Sequence, residues 1–317
     1  MKSIKKGFLL FLLVILLTII GGTTYGIVGG LLGFLAAVAV ILIVNRAAVG
    51  FMVGQLKYNK GDHQGAYKLM KKAYDTTKLA PQFTLMYVYM MIRDGMLDEA
   101  ETILNKVTYL NRRELSKEDL MTADINKAII MWKKDNLSGA IEQLEELYDK
   151  NLKSTTLYGA LGYFYILNNQ IAKGLEFNKE AYEYNSENMV IADNLALNYI
   201  MNSEFEKAEE LYNKLFEQNP NFIEPYYNYA LMLEKRLQYE EALVYYKKAL
   251  EYPEKYLSTI THSDVYKAIE RLGGSVEEVV EQEQAVPEEA QELAAQTDEQ
   301  QSAQMPESEA ANGDDAE

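Results

Sequence analysis

The sequence predicts an all-α fold: a right-handed solenoid of about six helix pairs with a closing helix. An apolar helical hairpin precedes it and an acidic tail follows. Three observations carry that reading. Six small residues, Ala66, Ala100, Ala140, Gly174, Ala208 and Ala242, recur at intervals of 34, 40, 34, 34 and 34 residues. A fixed period of this size marks stacked supersecondary units, each burying its apolar face against the next. The first 44 residues hold two long uncharged runs, and the last 43 hold 14 acidic residues with no Lys or Arg. The boundaries follow: 1–46 for the hairpin, 47–274 for the repeats and closing helix, 275–317 for the tail.

The N-terminal segment opens with Lys2, Lys5 and Lys6 and then runs apolar, with a break at Gly21-Gly22-Thr23-Thr24-Tyr25-Gly26. Spans at 7–24 and 27–44 are each just long enough for a hydrocarbon core, which takes about 20 helical residues and at least roughly 17. One continuous helix would be far too long, so a transmembrane hairpin is expected. A cleaved signal peptide is the rival, but no Ala-x-Ala-like site follows and a second apolar run does. A hairpin returns the chain to its starting side. The cations before it and Arg46, Lys57 and Lys60 after it assign both termini and the repeats to the cytoplasm. Gly22, Gly26 and Gly30, and likewise Gly29 and Gly33, recur every fourth residue. That spacing lets helix backbones approach closely in lipid, either within the hairpin or between copies of it.

Within the repeats, apolar residues at i, i+3, i+4 and i+7 mark two amphipathic helices per unit. The copy around Ala208 is the clearest, with Leu195, Ala196, Tyr199, Phe205, Tyr212, Leu215 and Pro220. Pro220 ends the second helix because it has no backbone donor. The 40-residue interval places six extra residues near 111–120, where Ser116 and Asp119 read as a capping box for the next helix. After Pro253, Ser263 is expected to cap a last helix that ends at Gly273-Gly274. Beyond it, too little apolar surface remains to offset ordering entropy, and the acidic tail is expected to be disordered.

Composition excludes several classes. There is no Cys, so neither disulfides nor thiolate metal sites exist, and the only two His, His63 and His262, are far apart. Outside the tail, 31 basic residues face 33 acidic ones, so the body is near neutral and lacks a nucleic-acid binder's basic stripe. Phosphate-loop, zinc-protease and nucleophile-elbow motifs are all missing. Neither an enzyme nor a cofactor is expected. Adjacent carboxylates such as Glu145-Glu146 read as solvated helix surface.

The copies resemble the tetratricopeptide repeat family. The fourth offers Leu161-Gly162, Tyr165, Gly174, Ala181 and Tyr182. The sixth offers Tyr226, Ala230, Tyr239, Ala242, Tyr246, Ala249 and Pro253. The first carries Gly54, Gly61, Ala66 and Ala73, and the second Gly95 and Ala100. The third keeps Ala128 and Ala140 but departs at Lys127, Asp135 and Leu147.

The resemblance covers about two-thirds of the chain and implies a concave groove lined by the first helix of each pair. Carried over position by position, that lining comprises Leu85, Tyr89, Ile92, Ile125, Ile129, Trp132, Tyr163, Ile166, Leu197, Ile200, Tyr227 and Leu231. Asn126, Asn194 and Asn228 form a row of side-chain amides beside it. The family's Lys/Asn/Arg clamp for a C-terminal carboxylate is missing, with Phe51 and Gln55 at the corresponding positions. An apolar, aromatic strip of this kind fits an amphipathic helix or an extended peptide. Trp132, the only Trp, is the foremost anchor candidate. The resemblance implies a protein-binding adaptor, and the hairpin ahead of it adds the expectation that the adaptor is held at a bacterial membrane. A structural subunit of a membrane complex and an extracytoplasmic repeat domain are the alternatives.

Overall fold

The computed structural model describes residues 2–76, 79–110 and 115–274, with the side chains of residues 2–11 and 76 left aside. The expected acidic tail and part of the expected longer joint lie outside the described residues. Among those residues the chain is all-α, with fourteen helices and no strand. It divides into two compact units, Met1–Phe83 and Thr84–Glu317, so the first helix pair groups with the apolar segment.

In the first unit, α1 (Lys2–Val44) is interrupted at Tyr25 and at Gly26, whose φ of 63° belongs to the left-handed region. Glycine adopts that region at no steric cost, so the chain reverses there. The arms on either side meet backbone to backbone: a methyl group at Gly21 would collide with Gly29, and one at Gly33 with the carbonyl of Leu17. Gly22 lies against Gly30 in the same contact. The glycine spacing is thus used between the arms of one chain. Thr18 and Thr24 turn their hydroxyls back to the carbonyls of Val14 and Ile20, at 2.8 and 2.7 Å. This satisfies the polar atoms of an otherwise apolar surface. Ile19, Ile27, Leu31 and Leu35 stay exposed. By length and composition α1 is sufficient to cross a membrane, a test that signal sequences also pass. The first pair, α2 (Arg46–Asn59) and α3 (His63–Thr76), packs Gly54 against Ala66 and Met70.

The second unit contains five further pairs and a closing helix. They are α4 (Pro81–Arg93) with α5 (Leu97–Leu110), α6 (Lys117–Lys133) with α7 (Leu137–Asp149), and α8 (Thr155–Leu167) with α9 (Ile171–Tyr184). Next come α10 (Met189–Met201) with α11 (Phe205–Glu217), α12 (Ile223–Lys235) with α13 (Tyr239–Ala249), and α14 (His262–Arg271). The recurring small residues are packing points: Ala100, Ala140, Ala208 and Ala242 are wholly buried where the helices of a pair cross.

A second period runs in step with the first. Gly61, Gly95, Asp135, Asn169, Ser203 and Leu237 all have φ between 55° and 80°, and each lies five residues before a small packing residue. At each, the chain closes the first helix of a pair with a Schellman motif, as in Asp135 N–H to Trp132 O and Asn136 N–H to Met131 O. Only two of the six are glycine. The others accept the left-handed strain, which Asp and Asn tolerate best.

Helix starts follow local chemistry. Ser116 and Asp119 form the expected capping box, each side chain accepting the other's backbone N–H at 3.0 Å. At the last helix the cap is Thr261, not Ser263. Thr261 pairs reciprocally with Asp264, a box that the Thr-x-x-Asp spacing supplies and Ser263 lacks.

The inner face of the helix pairs as a candidate site

The first helices α4, α6, α8, α10 and α12 follow one another along the inner layer of the second unit, and most of the expected groove residues are packed between them. Leu85, Ile92, Ile125, Ile129, Ile166 and Ile200 are buried core, none more than 8% exposed. Tyr89, Trp132, Tyr163, Leu197, Tyr227 and Leu231 are half-buried and retain open surface.

The asparagines are used between helices. Asn126 donates its amide N–H to the carbonyl of Leu85 at 3.1 Å, and Asn194 donates to that of Gly159 at 2.9 Å. Each bond ties one first helix to the preceding one. All three asparagines are buried, and a buried amide needs such a partner.

Asn228 donates to both carboxylate oxygens of Asp193 at 3.3 Å, while the Tyr212 hydroxyl donates to Asp193 Oδ1 at 2.9 Å. Asp193 is buried. Burial pushes its carboxyl up to about 7, Glu224 adds to the shift, and the Tyr212 and Asn228 hydrogen bonds hold it back. The Tyr212 hydroxyl is likewise raised by burial and by Asp193. Nearby, Asn178 donates to Gly162 O and to Asn198 Oδ1, and Asn198 donates to Ile171 O at 3.3 Å. Gly162 has no side chain because a methyl group there would meet Asn178 Oδ1. The stretch from α8 to α12 is therefore a sealed polar knot inside an apolar core.

The stretch from α4 to α8 differs. Trp132, one residue before the end of α6, sets its ring edge-on to Tyr163 at 6.3 Å and against Phe164 at 5.1 Å. Lys133 lies over the Trp132 ring at 4.4 Å and the Tyr256 ring at 4.9 Å. Its ammonium donates to the carbonyl of Ser258 at 3.5 Å, and the Tyr163 and Thr259 hydroxyls share a hydrogen bond. Tyr256 also lies against Gly95, with ring carbons 3.1 Å from where a Cβ would stand. Burial lowers the Lys133 ammonium, against the opposing pull of Glu224, and burial raises the Tyr163 hydroxyl.

These contacts trace one non-helical segment, residues 251–261, which leaves α13 and crosses the inner face from pair six to pair two. Its residues were not among the expected site. The signal in the sequence was a run of apolar and hydroxyl residues, Tyr256-Leu257-Ser258-Thr259-Ile260, between Pro253 and a capping box. That run is too apolar for a free loop.

The geometry defines a solenoid of stacked helix hairpins. Among solved structures the chain is similar to a tetratricopeptide repeat protein from Parabacteroides merdae. Identity is 12%, 81% of this chain and 98% of that chain are covered, and the TM-score is 0.56. It is also similar to a thermophilic TPR protein in Thermus thermophilus (20% identity, 61% and 98% covered, TM-score 0.48). A third is PilF of Pseudomonas aeruginosa (16% identity, 70% and 90% covered, TM-score 0.47). No family model matches the chain, and no curated protein does. The first overlay carries the assignment: the chain has the tetratricopeptide-repeat fold.

Among the described residues no group of three or more His, Cys, Asp or Glu side chains is arranged to hold a metal ion.

Proposed function

We propose that the chain is a membrane-tethered scaffold that takes protein segments on the inner face of its helix pairs. One observation carries this reading. Most of the inner face is sealed as core, yet Trp132, Tyr163 and Tyr227 are only half-buried along it. Partly open aromatics held rigidly by their neighbours are the usual anchors of protein interfaces. An extended segment or the apolar face of an amphipathic helix matches them. No cofactor is needed for such a role.

The two arms of α1 serve as the tether in this reading, each at the lower limit of bilayer-spanning length. The cations flanking them orient the array toward the cytoplasm. Tethering raises the local concentration of a captured partner at the membrane without demanding a tight intrinsic affinity.

Proximity labelling from the full-length protein in its native membrane tests the reading. The labelled set is expected to shrink when Trp132→Ala is introduced, and an unchanged set would sink the inner face as the binding surface. A reporter fused after Gly274 tests orientation. Activity on the extracytoplasmic side would overturn it and favour a processed signal.

A further inference from the structure

The segment at 251–261 has firm ends and a lightly held middle. At its start Tyr252 stacks on Tyr226, with ring centroids 4.7 Å apart and an interplanar angle of 8°, and the two hydroxyls are hydrogen-bonded at 2.9 Å. At its end His262 closes back on it: the ring lies 2.8 Å from the Tyr252 carbonyl, and the backbone N–H reaches Glu254 at 2.5 Å. Between these anchors no residue is buried, and Tyr256 is 42% exposed. The contacts of the middle with the inner face include a ring on Gly95, a cation over that ring, one long hydrogen bond from the Lys133 ammonium to a backbone carbonyl and one hydroxyl pair. Ile260 packs on the core beside the closing anchor, while the stretch 253–259 carries no buried residue, so its release leaves both anchors in place.

We propose that residues 251–261 are a tethered ligand of the inner face, and that the partner segment displacing them copies their chemistry. That segment is an extended stretch with an aromatic ring followed three residues later by Ser or Thr. The rule comes from the contacts themselves. The ring takes the place of Tyr256, accepted by Gly95 and Lys133. The hydroxyl takes the place of Thr259 on Tyr163. Between them the Lys133 ammonium reads a backbone carbonyl and so leaves the intervening side chains free. A tethered ligand acts at an effective concentration in the millimolar range, so a partner of equal intrinsic affinity is outcompeted until it is itself concentrated. The proposal rests on the scaffold reading above and adds what the scaffold recognises and what holds it shut.

The test uses the full-length protein in phospholipid nanodiscs and a fluorescein-labelled peptide carrying residues 251–261. Anisotropy should show at least ten-fold tighter binding to the Tyr256→Ala/Thr259→Ala variant than to the unaltered protein. Adding Tyr163→Phe or Lys133→Met to that variant should return binding to the unaltered level. Circular dichroism checks that the helices persist, and the single Thr259→Val variant, which keeps the ring, should give an intermediate gain. Equal weak binding by the unaltered and the doubly substituted protein overturns the tethered ligand. Partner labelling separates this failure from failure of the scaffold reading. A labelled set lost with Trp132→Ala but indifferent to the doubly substituted segment leaves the scaffold standing and removes only the tethered ligand.

Discussion

Two stretches of one inner face, built on the same repeat, share one tie, Asn126 to Leu85 and Asn194 to Gly159, and differ in the rest of their polar groups. From α8 to α12, Asn194, Asn228, Asp193, Tyr212, Asn178 and Asn198 spend their hydrogen bonds on neighbouring helices and are sealed. From α4 to α8, Lys133 and Tyr163 spend theirs on a segment from the far end of the array and stay half-open. A polar group tied to the next helix belongs to the core and leaves only on unfolding. One tied to a crossing segment is released whenever that segment moves. The repeat fixes where the inner face lies, and the partners chosen by its polar residues decide which part of it is available.

Substitutions should separate the two stretches by size of effect. The largest is expected in the sealed one. Gly162→Ala forces a methyl group into Asn178 Oδ1 and should destabilise the fold by about 3 kcal/mol, as overpacking of a tight core does. Urea unfolding measures it, and a loss under 1 kcal/mol would mean that the knot yields readily.

Next comes Asp193, whose carboxyl binds its proton more tightly in the folded state, at about 7, than in the unfolded chain. Its contribution is fully present below about pH 4 and is lost as the pH rises through about 7. Asp193→Asn should therefore be more stable than the unaltered protein by on the order of 2 kcal/mol at pH 8, with the gap closing toward pH 4. A gap that does not change with pH would place the charge elsewhere.

The turns give a smaller, mirrored pair. Leu237 has φ of 62° and is 71% exposed, so Leu237→Gly relieves backbone strain without losing packing. It should raise stability by about 1 kcal/mol. Gly95→Ala, at φ of 78°, should lower stability by about as much. It should also crowd the Tyr256 ring, so that trypsin cuts after Lys255 more readily. Smallest is Lys133→Met, which exchanges a half-buried cation for an apolar side chain of similar length. It should change stability by no more than about 0.5 kcal/mol while loosening the crossing segment in the same proteolysis assay. A loss above 2 kcal/mol would show that Lys133 belongs to the core after all.

Much of the fold was legible because it is local. The spacing of the small residues gave the pairs, while the extra residues of the 40-residue interval go in part into α6, which has 17 residues where α4, α8, α10 and α12 have 13. Ser116-x-x-Asp119 announced α6 by chemistry confined to four residues. The same rule, applied at Thr261-x-x-Asp264, would have found the last cap that Ser263 suggested wrongly. The crossing segment was not legible, because its contacts join Lys133 to Ser258 and Tyr163 to Thr259, 125 and 96 residues apart. No repeat period encodes such a pairing. Nor does position alone reveal that Asn126 and Asn194 bond to carbonyls of the helix before, since the same side chains on an open face would greet a peptide.

A stack whose units touch only their neighbours behaves as a spring, free to change pitch a little at every joint. The segment at 251–261 leaves pair six, meets the turn of pair two through Tyr256 and is closed back on Tyr252 by His262. In the tethered-ligand proposal its release would free the three pairs between to adjust their pitch.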